Sequence, residues 1–136
     1  MSDLDHARSL LEMAKGDLNA LRGMTSPALA LIPELFSDAV FGFHAQQAVE
    51  KCLKAWIASL GQRYTRTHDL MALIEDLENA GEDTSELLGF VDLNVFAVQY
   101  RYESLDSEEE ALDRSELLRE IQSLFQQVDG RINPAA

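Results

Sequence analysis

Residues 43–56 read FHAQQAVEKCLKAW and carry the clearest helical pattern of the chain. Apolar residues recur there at spacings of three and four, which places them along one side of an α-helix. Glu50 and Lys54 are four residues apart, in the order that favours an ion pair on a helix. The apolar arc is so broad that we expect this helix to lie at the centre of a bundle.

Further helices are predicted on both sides of this stretch, because apolar stripes recur at helical spacing and no segment alternates as a half-buried strand would. The five predicted helices cover residues 3–22, 37–60, 67–81, 83–98 and 107–128, with an irregular connection at 24–36 and a frayed tail at 133–136. Short links favour antiparallel neighbours. The sequence therefore predicts a single all-α domain over residues 1–136, an antiparallel up-and-down bundle of about five helices.

The predicted helix ends depend on capping residues. Serine, threonine and aspartate accept hydrogen bonds from the first free amides of a helix, and glycine adopts the left-handed conformation that often follows one. Four residues are suited to N-caps: Ser37, Thr67, Asp83 and Ser107. Three glycines are suited to the opposite ends: Gly23, Gly61 and Gly81.

Length and composition limit the class of protein. The chain has 136 residues, 46% of them apolar, which suits one globular domain. No apolar run reaches the roughly 18–20 residues of a membrane span, and the charged N-terminus lacks the apolar stretch of a signal peptide. Cys52 is the single cysteine and is expected to be a buried core thiol, with no internal disulfide. We therefore expect a soluble, cytoplasmic protein that does not associate with membranes.

The charge is strongly acidic and unevenly spread. Eleven basic against 24 acidic residues give −13, so we do not expect binding to duplex DNA. The exception is the range 44–68, where Glu50 is the single acid. Its four cations are Lys51, Lys54, Arg63 and Arg66. They form either a solvated surface or one patch that binds an anion or an acidic partner.

The histidines and the tryptophan each have a structural interpretation beside a functional one. His44 is expected to be half-buried and satisfied, and His68 to pack or to bond backbone groups at a helix start. Trp56 is expected in the core. A metal site would need His44, His68 and Asp69 to converge, which their spacing does not predict, so neither a metal nor another cofactor is expected.

Several motifs together resemble one family. FHAQQAVEKCLKAW is followed by Gly61, by RTHDL at residues 66–70 and by YRY at residues 100–102. This order is similar to the HEPN domain family, whose second helix typically reads FxAQQAxEKxLKA and precedes a glycine, a short loop and a THDL-type helix start. The resemblance is strongest over residues 40–128.

The resemblance implies an all-α bundle that commonly forms homodimers. Many such proteins of bacteria and archaea pair with a small nucleotidyltransferase-like protein, as toxin–antitoxin or nucleotide-related modules. Some are metal-independent ribonucleases that use an arginine followed, after four to six residues, by a histidine. In that chemistry, histidine assists proton transfer and arginine stabilises the charge on the phosphate.

This chain departs from the ribonuclease motif. Arg101 stands where the family places its functional arginine, between two tyrosines, but no histidine occurs after residue 101. A literal match, Arg63 followed after four residues by His68, falls in the loop after the second helix and is interpreted as accidental. Candidate ligand-binding residues are Gln47, Lys51, Lys54, Arg63, Arg66, His68, Arg101 and Tyr102.

The expected function follows from the family and the missing histidine. It is a non-catalytic, dimeric binding module that engages a nucleotidyltransferase-like partner, a nucleotide or both. One alternative is a ribonuclease with a departed or shifted site, acting on RNA. The other is a helical-bundle interaction protein without a nucleotide role.

Overall fold

The computed structural model describes residues 3–30, 32, 35–97 and 112–134, and these residues contain no β-strand. The result confirms the predicted all-α class, while the antiparallel order of the helices stays a prediction. The elements are α1 (Asp3–Met24), α2 (Pro27–Ala30), α3 (Asp38–Ser59), α4 (Leu70–Asn79), a 3-10 helix (Leu88–Leu93) and α5 (Arg114–Ile132). The connection predicted at 24–36 thus contains the short helix α2.

Helix α3 is the central element, as predicted. It packs against α1, α4, the 3-10 helix and α5. Eight of the nine apolar residues predicted for its buried side are buried: Phe41, Ala45, Ala48, Val49, Cys52, Leu53, Trp56 and Ile57. The ninth, Leu60, follows the last turn of the helix and is 37% exposed. Because its neighbours surround it, polar side chains of α3 also become internal, and Gln46 and Glu50 are both buried. These two residues position the candidate site.

Three predicted helix ends are confirmed. The Ser37 side chain accepts a hydrogen bond from the Val40 amide at 3.2 Å and caps α3. Gly61 and Gly81 follow α3 and α4 with φ angles of +73° and +87°. That left-handed conformation strains other residues, so glycine is favoured at both positions.

Two other ends differ from the prediction. Helix α1 continues through Gly23 to Met24, whose side chain is buried. The N-cap of α4 is Asp69 rather than Thr67: the Asp69 carboxylate accepts from the Met71 amide at 3.0 Å. Thr67 instead accepts from the Asp69 amide at 2.9 Å, so it closes the turn before the cap.

The fourth predicted helix is wrong in type. Residues 88–93 form a 3-10 helix, followed by one helical turn at 94–97. Leu88 is 50% exposed, whereas Phe90, Leu93 and Phe96 are buried. Their spacing of three matches the period of a 3-10 helix, in which residues i and i+3 share a side. Asp83, the expected cap, accepts from the Ser85 amide in a turn.

The last helix starts later than predicted. Asp113 caps α5 by accepting from the Glu116 amide at 3.2 Å, and residues 112 and 113 are not helical. A continuous helix from 107 to 128 is therefore wrong, although Ser107 itself lies outside the described residues. At its other end α5 continues to Ile132, because this last turn buries the Ile132 side chain.

Candidate anion-binding site

A buried carboxylate organises the site. Glu50 is 3% exposed, and its Oε1 accepts hydrogen bonds from Gln46 Nε2 at 3.1 Å and His68 Nδ1 at 2.9 Å. Its Oε2 accepts from Lys54 Nζ at 3.1 Å. Gln46 also donates to the His68 carbonyl oxygen at 2.9 Å. The spacing of four along α3 stacks Gln46, Glu50 and Lys54 on one side of the helix, which faces the loop that carries His68.

The loop of residues 61–69 is tied down at further points. The Tyr64 hydroxyl lies 2.7 Å from His6 Nε2 on α1, and the two rings stack at 5.8 Å. The Thr65 amide and hydroxyl both donate to the Asp76 carboxylate on α4, at 2.7 and 3.0 Å. The loop is therefore held by α1, α3 and α4, and its exposed side chains project from a fixed backbone.

A surface pocket of about 440 Å³ opens beside this loop. It is lined by Lys54, Tyr64, Arg66, Thr67 and His68. The Lys54 ammonium lies 5.4 Å from the centroid of the Tyr64 ring, a cation–π distance. Arg66 has no hydrogen bond or ion pair to any described residue, and the His68 side chain is 67% exposed. The pocket therefore combines two cations and an imidazole around one open volume; we name it the anion pocket.

The four cations predicted from the sequence divide between different places. Lys54 and Arg66 line the anion pocket, whereas Lys51 Nζ donates to Asp17 of α1 at 2.7 Å. Asp17 also binds His44 Nδ1 at 3.0 Å. Lys51 therefore joins α1 to α3 rather than facing the pocket, and His44 is part-buried and satisfied, as expected.

Two further candidates lie near the pocket without lining it. Arg63 is an exposed residue of the same loop and has no ion pair among the described residues. Gln47 Nε2 donates to Gln46 Oε1 at 2.7 Å, so Gln47 orients the amide that holds Glu50 and His68. Gln47 therefore contributes to the site indirectly, by fixing the orientation of the Gln46 side chain.

The structural interpretation of His68 was incomplete. Its ring bonds a buried carboxylate on another helix, not the backbone at a helix start, and its carbonyl oxygen is also engaged. Sequence reasoning did not include Gln46, Glu50 or Asp17 among the site residues. The signal for the first two was present: an acid on the broadly apolar helix, with polar partners four residues before and after it.

The described part of the chain holds one buried cysteine and few clustered metal-ligand side chains. No group of three or more histidine, cysteine, aspartate or glutamate side chains there could hold a metal ion. Burial raises the pKa of the Cys52 thiol to about 12, which keeps it protonated and unreactive. Likewise, no helix within these residues is long and apolar enough to cross a membrane.

Comparison with known families decides the classification. The model of the HEPN domain matches residues 7–129, which is most of the chain. The chain belongs to the HEPN domain family. No curated protein and no solved structure matches it. At the level of the family, an HEPN domain is a nucleotide- or RNA-related module or a partner-binding module.

The ribonuclease motif of HEPN proteins can be compared with this geometry. Arg101 and Tyr102, at the position resembling the family's functional arginine, lie outside the described residues. In the literal match, His68 lines the anion pocket but Arg63 does not. The arginine that shares the pocket with His68 is Arg66, two residues away from it in the sequence.

Proposed function

We propose that this HEPN domain is a cytoplasmic, non-catalytic binding module that acts as a homodimer and engages a nucleotide, a nucleotidyltransferase-like partner or both. The observation that carries the proposal is the basic loop of residues 61–69. Its backbone is held by side chains of three helices, while Arg63 and Arg66 remain without ion pairs among the described residues.

Such a loop is suited to binding because contacts within the folded protein already hold it in one conformation before a ligand arrives. A segment that is ordered before binding loses less conformational entropy in the complex, which raises affinity. The two arginines stand in a chain whose net charge is −13. The loop is therefore a local positive site on an acidic protein, and it favours an anionic ligand or the acidic surface of a partner.

Binding is tested with the purified chain and with any small nucleotidyltransferase-like protein that a neighbouring gene encodes. Isothermal titration with AMP and ATP, and co-purification of the two proteins, should both be weakened at least about tenfold by the double variant Arg63→Glu, Arg66→Glu. The double variant Lys15→Glu, Arg22→Glu is the matched control, since it makes the same change of charge at two exposed positions of α1, away from the loop. Absence of both kinds of binding would overturn the proposal.

The dimer is tested by mass in solution. Light scattering should give twice the 15.2 kDa of the chain at micromolar concentration. A stable interface buries roughly 1,200 Å² or more, so the dimer should persist on moderate dilution. A single-chain mass at all concentrations would exclude it.

One observation favours RNA cleavage as a second candidate. The His68 imidazole is oriented by Glu50, lines the anion pocket and has Lys54 and Arg66 beside it. A carboxylate–imidazole pair next to cations can move a proton and stabilise a phosphate. Incubation of RNA with the pure protein decides between the candidates: cleavage that is lost in His68→Gln would establish the enzyme, and intact RNA supports the non-catalytic module.

A further inference from the structure

We propose that the anion pocket is a subsite for inorganic phosphate, in which His68 accepts the hydrogen of the hydrogen-phosphate hydroxyl while Arg66 and Lys54 hold its charge. The inference goes beyond the proposed function, because it names free phosphate as a ligand. The terminal phosphate of a nucleotide loses its last hydrogen at about pH 6, so at pH 8 it cannot give this hydrogen bond to His68.

The Glu50 contacts determine which ring nitrogen of His68 carries a hydrogen. An ionised carboxylate can only accept hydrogen bonds, and Glu50 accepts from Gln46 and Lys54. The third contact, 2.9 Å from His68 Nδ1, therefore requires Nδ1 to be the donor. In a neutral imidazole the other nitrogen then bears the lone pair. In that neutral form Nε2 of His68 is an acceptor, and no described residue makes a hydrogen bond to it.

The cations of the pocket match a doubly charged ligand. The planar guanidinium of Arg66 can give two parallel hydrogen bonds to phosphate oxygens. The Lys54 ammonium group has three hydrogens to donate. One is donated to Glu50, and two remain for a ligand. The pocket volume of about 440 Å³ also falls in the usual range of small-ligand sites, about 300–1,000 Å³. Two positively charged side chains, Lys54 and Arg66, and one hydrogen-bond acceptor, His68, therefore line the same pocket.

This arrangement distinguishes hydrogen phosphate from sulfate. Both ions are tetrahedral dianions at pH 8, but hydrogen phosphate retains one hydroxyl group and sulfate has none. Hydrogen phosphate can donate that hydrogen to Nε2, whereas a sulfate oxygen would face the lone pair without a bond. An acceptor left unsatisfied in a binding site lowers affinity strongly, so we expect a preference for phosphate of about tenfold or more.

The first experiment follows the three histidine rings by NMR at pH 8, in chain labelled on imidazole nitrogen and carbon. Sodium phosphate, AMP, adenosine and sodium sulfate are titrated separately. Phosphate should shift the His68 signals, while AMP (whose phosphate carries no hydrogen at pH 8), adenosine and sulfate should shift them much less. His44 is the matched control, because its Nδ1 also binds a carboxylate but its ring does not line the pocket.

The second experiment distinguishes binding in the pocket from nonspecific electrostatic attraction to the basic loop. Arg66→Glu should weaken phosphate binding at least about tenfold. Arg63→Glu, the same change in an exposed residue of the same loop outside the pocket lining, should weaken it much less. His68→Asn should remove the preference for phosphate over sulfate, and circular dichroism checks that each variant folds.

The outcomes separate this inference from the proposed function. Equal affinity for phosphate and sulfate, or equal shifts at His44 and His68, would overturn the phosphate subsite. Shifts of the His68 signals by AMP as large as those by phosphate would overturn it too, while nucleotide binding itself would support the proposed function. Binding of inorganic phosphate at His68 without any binding of AMP would support the subsite and would count against the nucleotide role.

Discussion

The phenyl ring of Phe96 lies directly on the backbone of Gly42. A Cβ atom at position 42 would come within 2.4 Å of the ring atoms Cδ1 and Cγ of Phe96, which is closer than such atoms can approach. Phe96 is buried and follows the 3-10 helix, so this contact packs the segment after the 3-10 helix against α3. Glycine inside a helix usually costs about 1 kcal/mol relative to alanine, and the close approach is the reason to retain it here.

We expect Gly42→Ala to lower the free energy of unfolding by about 1–3 kcal/mol, because overpacking a buried contact forces side chains and backbone to shift. Urea denaturation followed by circular dichroism measures it. Gly16→Ala is the matched control: it lies inside α1, with no atom within 4 Å of an added Cβ, and should gain about 0.5–1 kcal/mol. Equal effects of the two changes would contradict the contact.

Replacement of Glu50 should reveal how strongly the fold depends on the buried carboxylate. Glu50→Ala leaves the Lys54 ammonium without its buried partner and frees the loop at His68, so we expect a loss of about 3–5 kcal/mol in the free energy of unfolding. Glu50→Gln keeps the volume and one acceptor and should cost less. Urea denaturation gives both values, and Glu75→Ala on an exposed position of α4 should change little. A loss no larger than that of the control would contradict the network.

Arg114 joins the start of α5 to the start of α3. Its Nη2 donates to the Phe36 carbonyl oxygen at 2.6 Å and to Asp38 Oδ1 at 2.9 Å. We expect Arg114→Ala to lower the free energy of unfolding by about 1.5–3 kcal/mol, the usual worth of hydrogen bonds to charged groups. The control is Arg119→Ala, which removes an arginine paired with Glu116 on its own helix at the surface and should leave stability nearly unchanged. If thermal and urea unfolding show similar losses of stability for Arg114→Ala and Arg119→Ala, the contacts of Arg114 with Phe36 and Asp38 do not stabilise the fold.

The Cys52 thiol should make stability fall at alkaline pH. Burial raises its pKa from 9.0 to about 12. Above pH 9 the unfolded chain releases this proton while the folded chain keeps it, so the folded state binds more protons and the free energy of unfolding decreases as pH rises. Between pH 9 and 10.5 the decrease should be steeper than in Cys52→Ala by about 1.4 kcal/mol per pH unit at most. Parallel pH profiles of the two proteins would show that the thiol does not titrate this way.

The helices that sequence periodicity could predict are those with a continuous apolar stripe. In α3 the predicted face, the Ser37 cap and the Gly61 end all agree with the structure, because each depends on residues within a few positions of one another. The helix predicted for residues 83–98 was wrong because its form depends on contacts with distant parts of the chain. Its apolar residues fit a spacing of four as well as one of three, and only packing of Phe90 and Leu93 against the core selects the 3-10 form.

The candidate site was predicted in part. Periodicity placed Lys51 and Lys54 on the polar arc of one helix, but it could not show that Lys51 would turn to Asp17 of α1. The partner lies 34 positions away in the sequence, and no local pattern connects the two residues. The same holds for His68 and Glu50, which are 18 positions apart.

The sequence by itself determined the all-α class, the central helix, its capping residues and the membership of the HEPN family, since all of these follow from local spacing and residue order. Tertiary structure alone decided which charged groups are paired and which remain available. A salt bridge needs two atoms within about 4 Å, and that distance depends on how helices pack rather than on their separate sequences. The packing of α1 and the 61–69 loop on α3 therefore engages Lys51 with Asp17 and leaves Arg66 open in the pocket beside His68.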